Sequence, residues 1–399
     1  MPDLLKDKHI VLGVTGSIAC YKAVDLASKL TQAGALVDVI LTQGAQQFVS
    51  SITFAAITHR PVVTNLFDPK SEISIDHVAL AERADLIVVA PATANIIAKM
   101  ALGLADDALT ATVLATQAPI LVAPAMDAHM YANPATQENV QKLKSRGVTF
   151  AGPASGRLAS GLVGTGRLVE VEELLGQVRL ILGRKGDLAG KSIVVTAGGT
   201  QEPIDPVRVI TNRSSGKMGY ALAQAARDRG ASVTLITTPT SLHTPVGVNV
   251  LQVHTALEMR DAVLKAVKKA DVLIMAAAVA DYHPMNSAQQ KIKKEHKDAL
   301  TIKLTRTPDI LSEATGKKLV KVGFAAESED LIANAKKKLK AKGAHLFVAN
   351  DITAEGSGFN ADTNKVSIID KNGKIEDLPI MPKIDVAHCI LDRAAGLLK

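Results

Sequence analysis

One stretch near the middle of the chain, residues 191–219, constrains the fold most strongly. The apolar run from Ile193 to Thr196 predicts a strand, and Ala197-Gly198-Gly199 predicts a turn at its end. A polar loop with prolines, arginines and paired serines follows, and we expect a helix from about Lys217. A strand that leads through a loop to a helix N-terminus presents backbone N–H groups to a ligand, so this stretch predicts an anion-binding site.

The same arrangement opens the chain. The run from His9 to Val14 predicts a strand, residues 13–17 a glycine-containing loop, and residues 18–33 a helix followed by a second strand. The loop lacks the full G-x-G-x-x-G pattern, and Thr42 stands where a dinucleotide-binding sheet carries an acidic residue. These features disfavour an NAD-dependent dehydrogenase and favour a mononucleotide phosphate held at Ser17 and nearby backbone amides.

Further apolar strands alternate with helices in both halves of the chain. They are expected at residues 85–90, 120–123, 271–276, 321–326 and 346–350. This alternation predicts an α/β protein with two doubly wound Rossmann-like domains and mainly parallel sheets, with ligands at the carboxyl ends of the strands. Residues 155–167 are glycine-rich without periodicity, and we expect a mobile flap there.

The length of 399 residues exceeds what one hydrophobic core usually supports, so we expect two domains. The short, polar and glycine-rich sequence GRKGDLAGK at residues 183–191 is the expected joint. We therefore predict a first domain at residues 1–184, a linker at 185–190 and a second domain at 191–399.

The composition of the chain excludes several classes of binding partner. The net charge of +7 is compatible with nucleic acid, but aromatic residues make up only 3% of the chain, so stacking on bases is disfavoured and anionic small molecules are preferred. Two distant cysteines, Cys20 and Cys389, argue against a disulfide framework or structural zinc. Neither a signal peptide nor a run of about 18 apolar residues is recognisable. We expect a cytoplasmic protein with no membrane or nucleic-acid partner.

Specific motifs occur along the whole chain. The first half carries GSIACYK, DHVALAERADL, PATAN and PAM, and the second carries AGGTQEPIDPVRVITNRSSGKMG, AAAVADY, KIKK, TPDI, GFAAE and AND. Over residues 8–395 the chain resembles the bifunctional proteins of bacterial coenzyme A biosynthesis, in which an FMN-dependent phosphopantothenoylcysteine decarboxylase is fused to a CTP-dependent phosphopantothenate–cysteine ligase. The resemblance implies a flavodoxin-like flavoprotein domain followed by a ligase domain.

For the ligase, the resemblance implies that CTP activates 4'-phosphopantothenate as an acyl-cytidylate and that the amine of L-cysteine then displaces CMP. Because two anions must meet, lysines and a divalent ion such as Mg²⁺, to which the resemblance assigns no protein ligand, would offset their repulsion. Asn212 would hold the reacting carboxylate and the cytidylate, and Lys291 would act in the second half-reaction. The implied CTP-binding residues are Asp281, Lys291, Pro308, Asp309, Ile310, Phe324, Lys338 and Lys342, although the residues alone would place Lys338 and Lys342 on a solvated helix face.

For the decarboxylase, the resemblance implies that FMN takes two electrons from the thiol-bearing carbon, so that carbon dioxide can leave, and returns them with a proton from an acid to give 4'-phosphopantetheine. His77 matches the active-site base, although a lone histidine before a helix is more often a cap or a surface residue. The implied FMN-binding residues are Gly16, Ser17, Thr42, Thr93 and Asn95.

Two catalytic positions depart from the family pattern. Asp127 replaces an asparagine, and an ionised carboxylate would repel the carboxylate of the substrate. Ser160 replaces a cysteine, and its hydroxyl is a far weaker acid than a thiol. An alternative is therefore an active ligase whose flavoprotein half serves as a scaffold or regulatory subunit. The resemblance also implies a homo-oligomer, with a trimer-based decarboxylase core, ligase dimers and a dodecamer as the full assembly.

Overall fold

The computed structural model describes residues 4–66, 76–293, 300–327, 331–351, 358 and 361–398. The chain divides into two compact units, residues 2–182 and residues 183–399. Within the described ranges, none of the helices combines the length and the apolar character needed to cross a membrane.

The first unit is built on a fully parallel sheet. Its strands are β1 (His9–Val14), β2 (Leu36–Leu41), β3 (Val62–Val63), β4 (Leu86–Ala92), β5 (Ile120–Pro124) and β6 (Thr149–Phe150), followed by the separate hairpin strands β7 (Ala154–Arg157) and β8 (Val163–Arg167). The sheet order is β3-β2-β1-β4-β5-β6. Because the order reverses direction between β1 and β4, the loops after these two strands flank the crevice where such sheets bind ligands.

Helices cover both faces of this sheet. They are α1 (Cys20–Gln32), α2 (Ser51–Thr58), α3 (Asp76–Arg83), α4 (Ala94–Leu102), α5 (Ala108–Ala115), α6 (Ala128–Ala132), α7 (Pro134–Ser145) and α8 (Val171–Gly183). Side chains of β1 alternate between two cores, since Leu12 packs with α1 whereas Val11 packs with α4 and α5. A strand buried on both faces explains why the apolar run is continuous.

The second unit has a larger, mixed sheet. Its strands are β9 (Ser192–Ala197), β10 (Gln201–Pro203), β11 (Val209–Thr211), β12 (Ser232–Thr237), β13 (Asn249–Gln252), β14 (Val272–Met275), β15 (Tyr282–Pro284), β16 (Leu304–Arg306), β17 (Val320–Glu327), β18 (Leu346–Asp351), β19 (Thr363–Asn364), β20 (Val366–Asp370), β21 (Ile375–Asp377) and β22 (Met381–Pro382). The main order is β13-β12-β9-β14-β17-β18-β20-β21. Pairing is parallel up to β18 and antiparallel for β20 and β21.

The helices of the second unit are α9 (Lys217–Asp228), α10 (Ala256–Ala266), α11 (Ile310–Glu313), α12 (Leu331–Ala341) and α13 (Lys383–Gly396). The α9 helix packs directly on the end of β9. A Cβ atom on Gly219 would lie 2.5 Å from the Cβ of Ala197 and 2.8 Å from the carbonyl oxygen of Thr196. Glycine is therefore required where this helix approaches the sheet, and the helix N-terminus lies beside the strand end, as residues 191–219 predicted.

The predicted fold class is confirmed, and the structure adds the strand order of the first sheet and a hairpin that was not predicted. The first sheet has the Rossmann strand order 3-2-1-4-5-6, and without its two-residue edge strand β3 the order is that of a flavodoxin sheet, 2-1-3-4-5, so the flavodoxin-like description also holds. The expected flap at 155–167 contains the antiparallel hairpin β7–β8. Its strands were missed because they are rich in glycine and held by backbone pairing, which leaves no apolar alternation.

Candidate active sites

A cavity of about 690 Å³ lies in the first unit, where the loops after β1, β4 and β5 face the β7–β8 hairpin. Five of the predicted site residues line it: Gly16, Ser17, Thr93, Asp127 and Ser160. The volume falls within the range of cofactor and substrate pockets. The cavity therefore gathers the predicted flavin-binding loops and the two positions that depart from the family pattern.

The base of the cavity is fixed by Thr15 and Gly16. The Thr15 hydroxyl, which is buried, donates to the carbonyl oxygen of Pro91 at 2.7 Å and accepts from the backbone N–H of Thr93 at 3.1 Å, so it joins the ends of β1 and β4. A Cβ atom on Gly16 would lie 2.9 Å from the carbonyl carbon of Gly44. Only glycine allows this approach, and it leaves backbone rather than side chain next to the cavity.

Asp127 and Ser160 contact each other at the wall of the cavity. Asp127 caps α6, where its Oδ1 accepts from the backbone N–H of His129 at 2.9 Å, and its Oδ2 accepts from the Ser160 hydroxyl at 2.8 Å. The hydrogen bond from Ser160, and next the one from His129, lower the pKa of Asp127 below its ordinary value. Asp127 is therefore a carboxylate at neutral pH, and Ser160 links the tip of the hairpin to it.

Three basic side chains also line the cavity, and sequence reasoning missed them. Lys22 is buried and its Nζ lies 2.9 Å from Glu170 Oε2, while Arg167 Nη2 lies 3.2 Å from Glu170 Oε1. Arg157 belongs to the other strand of the hairpin. Their places in the sequence could have indicated them, because Lys22 is the last residue of the GSIACYK motif and the two arginines lie within the glycine-rich segment. Together they make the cavity suited to an anion.

Three predicted residues of this unit do not line the cavity. His77 lies in the first turn of α3, and its buried Nδ1 has no hydrogen-bond partner among the residues that the structure describes. The Thr42 hydroxyl is used locally, donating to Val14 at 3.3 Å and accepting from the backbone of Ala45 at 3.3 Å. Asn95 is exposed on the first turn of α4. Thr42 contacts the end of β1 and Asn95 follows Thr93 by two residues, so both border loops that line the cavity.

The second unit places Asn212 where β9 and β14 end. Its Nδ2 donates to the carbonyl oxygens of Ala278 at 3.2 Å and Val279 at 3.4 Å. The backbone N–H of Ala278 donates to Gly198 at 2.8 Å, and a Cβ on Gly199 would lie 2.7 Å from the carbonyl oxygen of Asn212. The glycine turn therefore permits the Asn212 loop and the AAAVADY segment to meet at this edge, beside the N-terminus of α9.

Asp281 is joined to the loop at residues 307–310. The backbone N–H of Thr307 donates to the carbonyl oxygen of Asp281 at 2.9 Å, next to the paired strands β15 and β16. Asp309 caps α11, accepting from the backbone of Ser312 at 3.2 Å, and its Oδ2 lies 3.5 Å from Lys342 Nζ. Burial raises the pKa of Asp309, but the Ser312 hydrogen bond and the Lys342 charge outweigh it, so the pKa lies below its ordinary value. The Pro308-Asp309-Ile310 loop thus contacts Lys342.

Lys291 is exposed in a loop that is tied to the centre of the 191–219 stretch. The backbone N–H of Ile292 donates to Asp205 Oδ2 at 3.1 Å, and Arg208 Nη2 donates to the carbonyl oxygen of Ile292 at 2.6 Å. Sequence reasoning missed both Asp205 and Arg208 as individual residues, although they stand in the IDPVR segment of the polar loop. The contact brings the loops of Asn212 and Lys291 together.

Two further predicted CTP-binding residues, Phe324 and Lys338, lie on β17 and α12. Phe324 is partly buried against the core on the α9 side of the sheet. Lys338 is exposed on α12, and its carbonyl oxygen accepts from the backbone of Lys342 at 2.9 Å. Within the described ranges there is no group of three or more His, Cys, Asp or Glu side chains that could hold a metal ion.

Comparisons with known proteins cover both units. Residues 2–182 match the family model described as "Flavoprotein", and residues 188–397 match "DNA/pantothenate metabolism flavoprotein C-terminal domain". The coenzyme A biosynthesis bifunctional protein CoaBC of Bacillus subtilis (strain 168) is 48% identical over 99% of this chain and 98% of its own length. The protein of the same name from Vibrio vulnificus (strain YJ016) is 46% identical over 99% of both chains.

A solved structure, that of the C-terminal domain of a coenzyme A biosynthesis bifunctional protein CoaBC, is 40% identical, covers 53% of this chain and 98% of its own, and has a TM-score of 0.46. The full-length matches confirm the predicted resemblance and support a bifunctional enzyme with a decarboxylase and a ligase activity. They do not favour the alternative in which the flavoprotein half is only a scaffold. The chain belongs to the family of the coenzyme A biosynthesis bifunctional proteins.

Proposed function

We propose that residues 191–399 ligate L-cysteine to 4'-phosphopantothenate at the expense of CTP, and that residues 1–184 decarboxylate the product to 4'-phosphopantetheine in the cytoplasm. The observation that carries the ligase assignment is the meeting of three predicted loops at one sheet edge. Asn212 contacts Ala278 and Val279, Asp281 contacts Thr307, and the neighbour of Lys291 contacts Asp205.

In the first half-reaction, Asn212 would orient the carboxylate of 4'-phosphopantothenate. Its Nδ2 donates to the carbonyl oxygens of Ala278 and Val279, so the carboxylate would replace one of these two acceptors. The carboxylate attacks the α-phosphorus of CTP, the acyl-cytidylate forms and pyrophosphate leaves. Lys342 beside Asp309, with Asp281, Phe324 and Lys338 on adjoining elements, would bind the nucleotide.

Mg²⁺ would enter on the triphosphate of CTP, where phosphate oxygens and water supply most of its ligands. In the second half-reaction, the amine of cysteine attacks the acyl carbon and CMP leaves. The Lys291 ammonium would stabilise the negative charge that develops on the acyl oxygen and the departing phosphate.

The cavity of the first unit fits a phosphate-bearing flavin. Gly16 brings backbone amides to the cavity without a side chain, Ser17 and Thr93 supply hydroxyl groups, and Lys22, Arg157 and Arg167 supply positive charge. When bound, FMN supplies reversible two-electron oxidation of the thiol-bearing carbon. The chain's own residues would bind and orient the substrate and enclose it beneath the β7–β8 hairpin.

Asp127 and Ser160 would act as a pair in the decarboxylase. The Ser160 hydroxyl donates to Asp127 Oδ2, which stabilises the carboxylate in its ionised form and occupies one of its oxygens. Arg157 and Arg167 lie on the same hairpin and would offset the repulsion between Asp127 and the substrate carboxylate. Opening of the hairpin frees the Ser160 hydroxyl, which can then donate to the substrate.

His77, Thr42 and Asn95 are not among the residues that line the cavity of their own chain, and we propose that a neighbouring subunit completes the decarboxylase site. The apolar side chains of Ile18 and Tyr21, which are 60% and 64% exposed beside the cavity, would be covered in such an assembly. A trimer-based decarboxylase core with dimeric ligase units, and a dodecamer as the full assembly, would provide this arrangement.

The proposal is tested by assaying the two partial reactions on one preparation. CTP with 4'-phosphopantothenate should release pyrophosphate, and phosphopantothenoylcysteine should release carbon dioxide. The purified protein should be yellow and absorb in the flavin range. A colourless protein that cannot be reconstituted with FMN, or a protein without CTP-dependent pyrophosphate release, would refute the corresponding half.

A further inference from the structure

A buried carboxylate, Asp205, lies outside the residues that the proposed reaction uses. Its side chain is 0% exposed, and it accepts four hydrogen bonds or ion-pair contacts. Oδ1 accepts from the backbone N–H groups of Val207 at 2.8 Å and Arg208 at 2.9 Å. Oδ2 accepts from the backbone N–H of Ile292 at 3.1 Å and lies 2.9 Å from Arg208 Nη2. Oδ1 therefore bonds within the turn at residues 205–208, whereas Oδ2 also bonds to the loop that contains Ile292.

The Oδ1 contacts are local, since they close a turn within residues 205–208. The Oδ2 contact is long-range, because Ile292 is 87 residues away in sequence. Arg208 Nη2 also donates to the carbonyl oxygen of Ile292 at 2.6 Å, so both backbone polar groups of Ile292 are held. The backbone N–H of Ala288 donates to Ile204 at 2.9 Å and adds a third connection between the same loops.

These contacts end one residue from Lys291. The Lys291 side chain is exposed, so its position depends on the backbone that carries it. Asn212 is held differently, through Ala278 and Val279 and through the pairing of β10 with β11. Burial raises the pKa of Asp205, but the hydrogen bonds from Val207, Ile292 and Arg208 outweigh it, so the pKa lies below its ordinary value and the group is ionised at neutral pH.

We propose that Asp205 is a positioning residue that fixes the backbone of Ile292 and thereby aims Lys291 at the acyl-cytidylate. This inference rests on the proposed ligase function. It requires that loss of the Oδ2 contact impair the cysteine-dependent half-reaction while sparing the formation of the acyl-cytidylate. A displacement of about 1 Å at a catalytic group can cost on the order of 100-fold in rate, so the effect is measurable.

Asp205→Asn is the informative variant. The amide oxygen can keep the local contacts with Val207 and Arg208, but its NH₂ group would then face the N–H of Ile292, and two donors cannot bond. The variant therefore preserves the turn and breaks the long-range contact. Asp205→Ala removes both the local contacts in the turn and the long-range contact with Ile292. The exposed Asp261, paired only with Arg260 in the described structure, provides the control Asp261→Asn.

The first readout does not use activity. Trypsin cleaves after lysine, and both polar groups of Ile292 must be released before the Lys291–Ile292 bond can enter a protease. In full-length protein, mass spectrometry of the cleavage at this bond should show roughly tenfold faster cutting in Asp205→Asn and no change in Asp261→Asn. Equal cleavage rates in wild type and Asp205→Asn would overturn the proposal.

The second readout separates the half-reactions. In Asp205→Asn, cysteine-dependent release of CMP should fall by about 10- to 100-fold, while the first turnover of pyrophosphate release stays within about threefold of wild type. In a Lys291→Gln background, Asp205→Asn should cause little further loss, because the two residues act through one step. Equal loss in both half-reactions, or full additivity with Lys291→Gln, would overturn the proposal.

Failure of the proposed function gives a different result. If wild-type protein releases no pyrophosphate from CTP and 4'-phosphopantothenate, the ligase assignment fails, and the proposal that Asp205 aims Lys291 at an acyl-cytidylate fails with it. The cleavage result would then still report whether Asp205 holds Ile292. If wild type is active and only the predicted difference between half-reactions is missing, the positioning role fails alone.

Discussion

In the first unit, five predicted residues line one cavity, and His77, Thr42 and Asn95 are not part of that lining. In the second unit, direct hydrogen bonds join the predicted loops. The difference follows from how each site is assembled. In the second unit, loops at one sheet edge meet one another within a single chain. In the first unit, a hairpin closes the cavity, and we propose that a second subunit supplies the remaining residues.

The two units also differ in how well their catalytic residues match the family pattern. Asn212 and Lys291 match the family pattern, so the ligase should follow the family's two half-reactions. In the first unit, Asp127 and Ser160 depart from the pattern and contact each other at 2.8 Å. Two changes that look independent in the sequence are thus physically coupled, and a single reversal does not restore the family's arrangement.

The largest expected effect is a loss of ligase activity that leaves the decarboxylase activity unchanged. Asn212→Ala removes the donor proposed for the reacting carboxylate, and loss of such a donor typically costs about 100- to 1,000-fold in rate. Pyrophosphate release should fall by that factor, while carbon dioxide release from phosphopantothenoylcysteine stays at the wild-type rate. Asn249→Ala, an exposed substitution in the same unit, is the control and should leave both rates unchanged. A parallel fall in both reactions would mean that the sites are not independent.

An intermediate effect concerns the carboxylate at the cavity wall. Asp127→Asn removes a negative charge that repels the substrate carboxylate, so KM for phosphopantothenoylcysteine should fall by about tenfold. Ligase kinetics should not change. Asp25→Asn, at an exposed residue of α1, controls for a general change in charge. An unchanged KM would contradict this repulsion and would show that Arg157 and Arg167 already compensate the charge of Asp127.

The smallest effect is the pH dependence of the Asp127–Ser160 contact. Because the folded pKa of Asp127 is lowered, the contact stabilises the protein above the unfolded value of about 3.9 and this contribution is lost as the pH falls through the folded value. The difference in Tm between wild type and Ser160→Ala should therefore be constant from pH 7 to about 5 and shrink below about 4. A difference that grows on acidification would contradict an ionised Asp127.

Much of the scaffold was predictable because its strands are buried on both faces. The run at 193–196 predicted β9, and the expected start near Lys217 agrees with α9. The hairpins β7–β8 and β10–β11 were not predicted, since backbone pairing leaves little pattern in the side chains. Asp205 was missed for another reason. Its partner Ile292 lies 87 residues away, and a contact from a side chain to a distant backbone group has no sequence signature.

The most direct test of two active sites in one chain is the pair of partial reactions on a single FMN-loaded preparation. The account predicts CTP-dependent pyrophosphate release with 4'-phosphopantothenate, and carbon dioxide release with formation of 4'-phosphopantetheine from phosphopantothenoylcysteine. Pyrophosphate release together with no carbon dioxide from a fully flavin-bound protein would contradict it, and would show that the Asp127–Ser160 pair does not support decarboxylation.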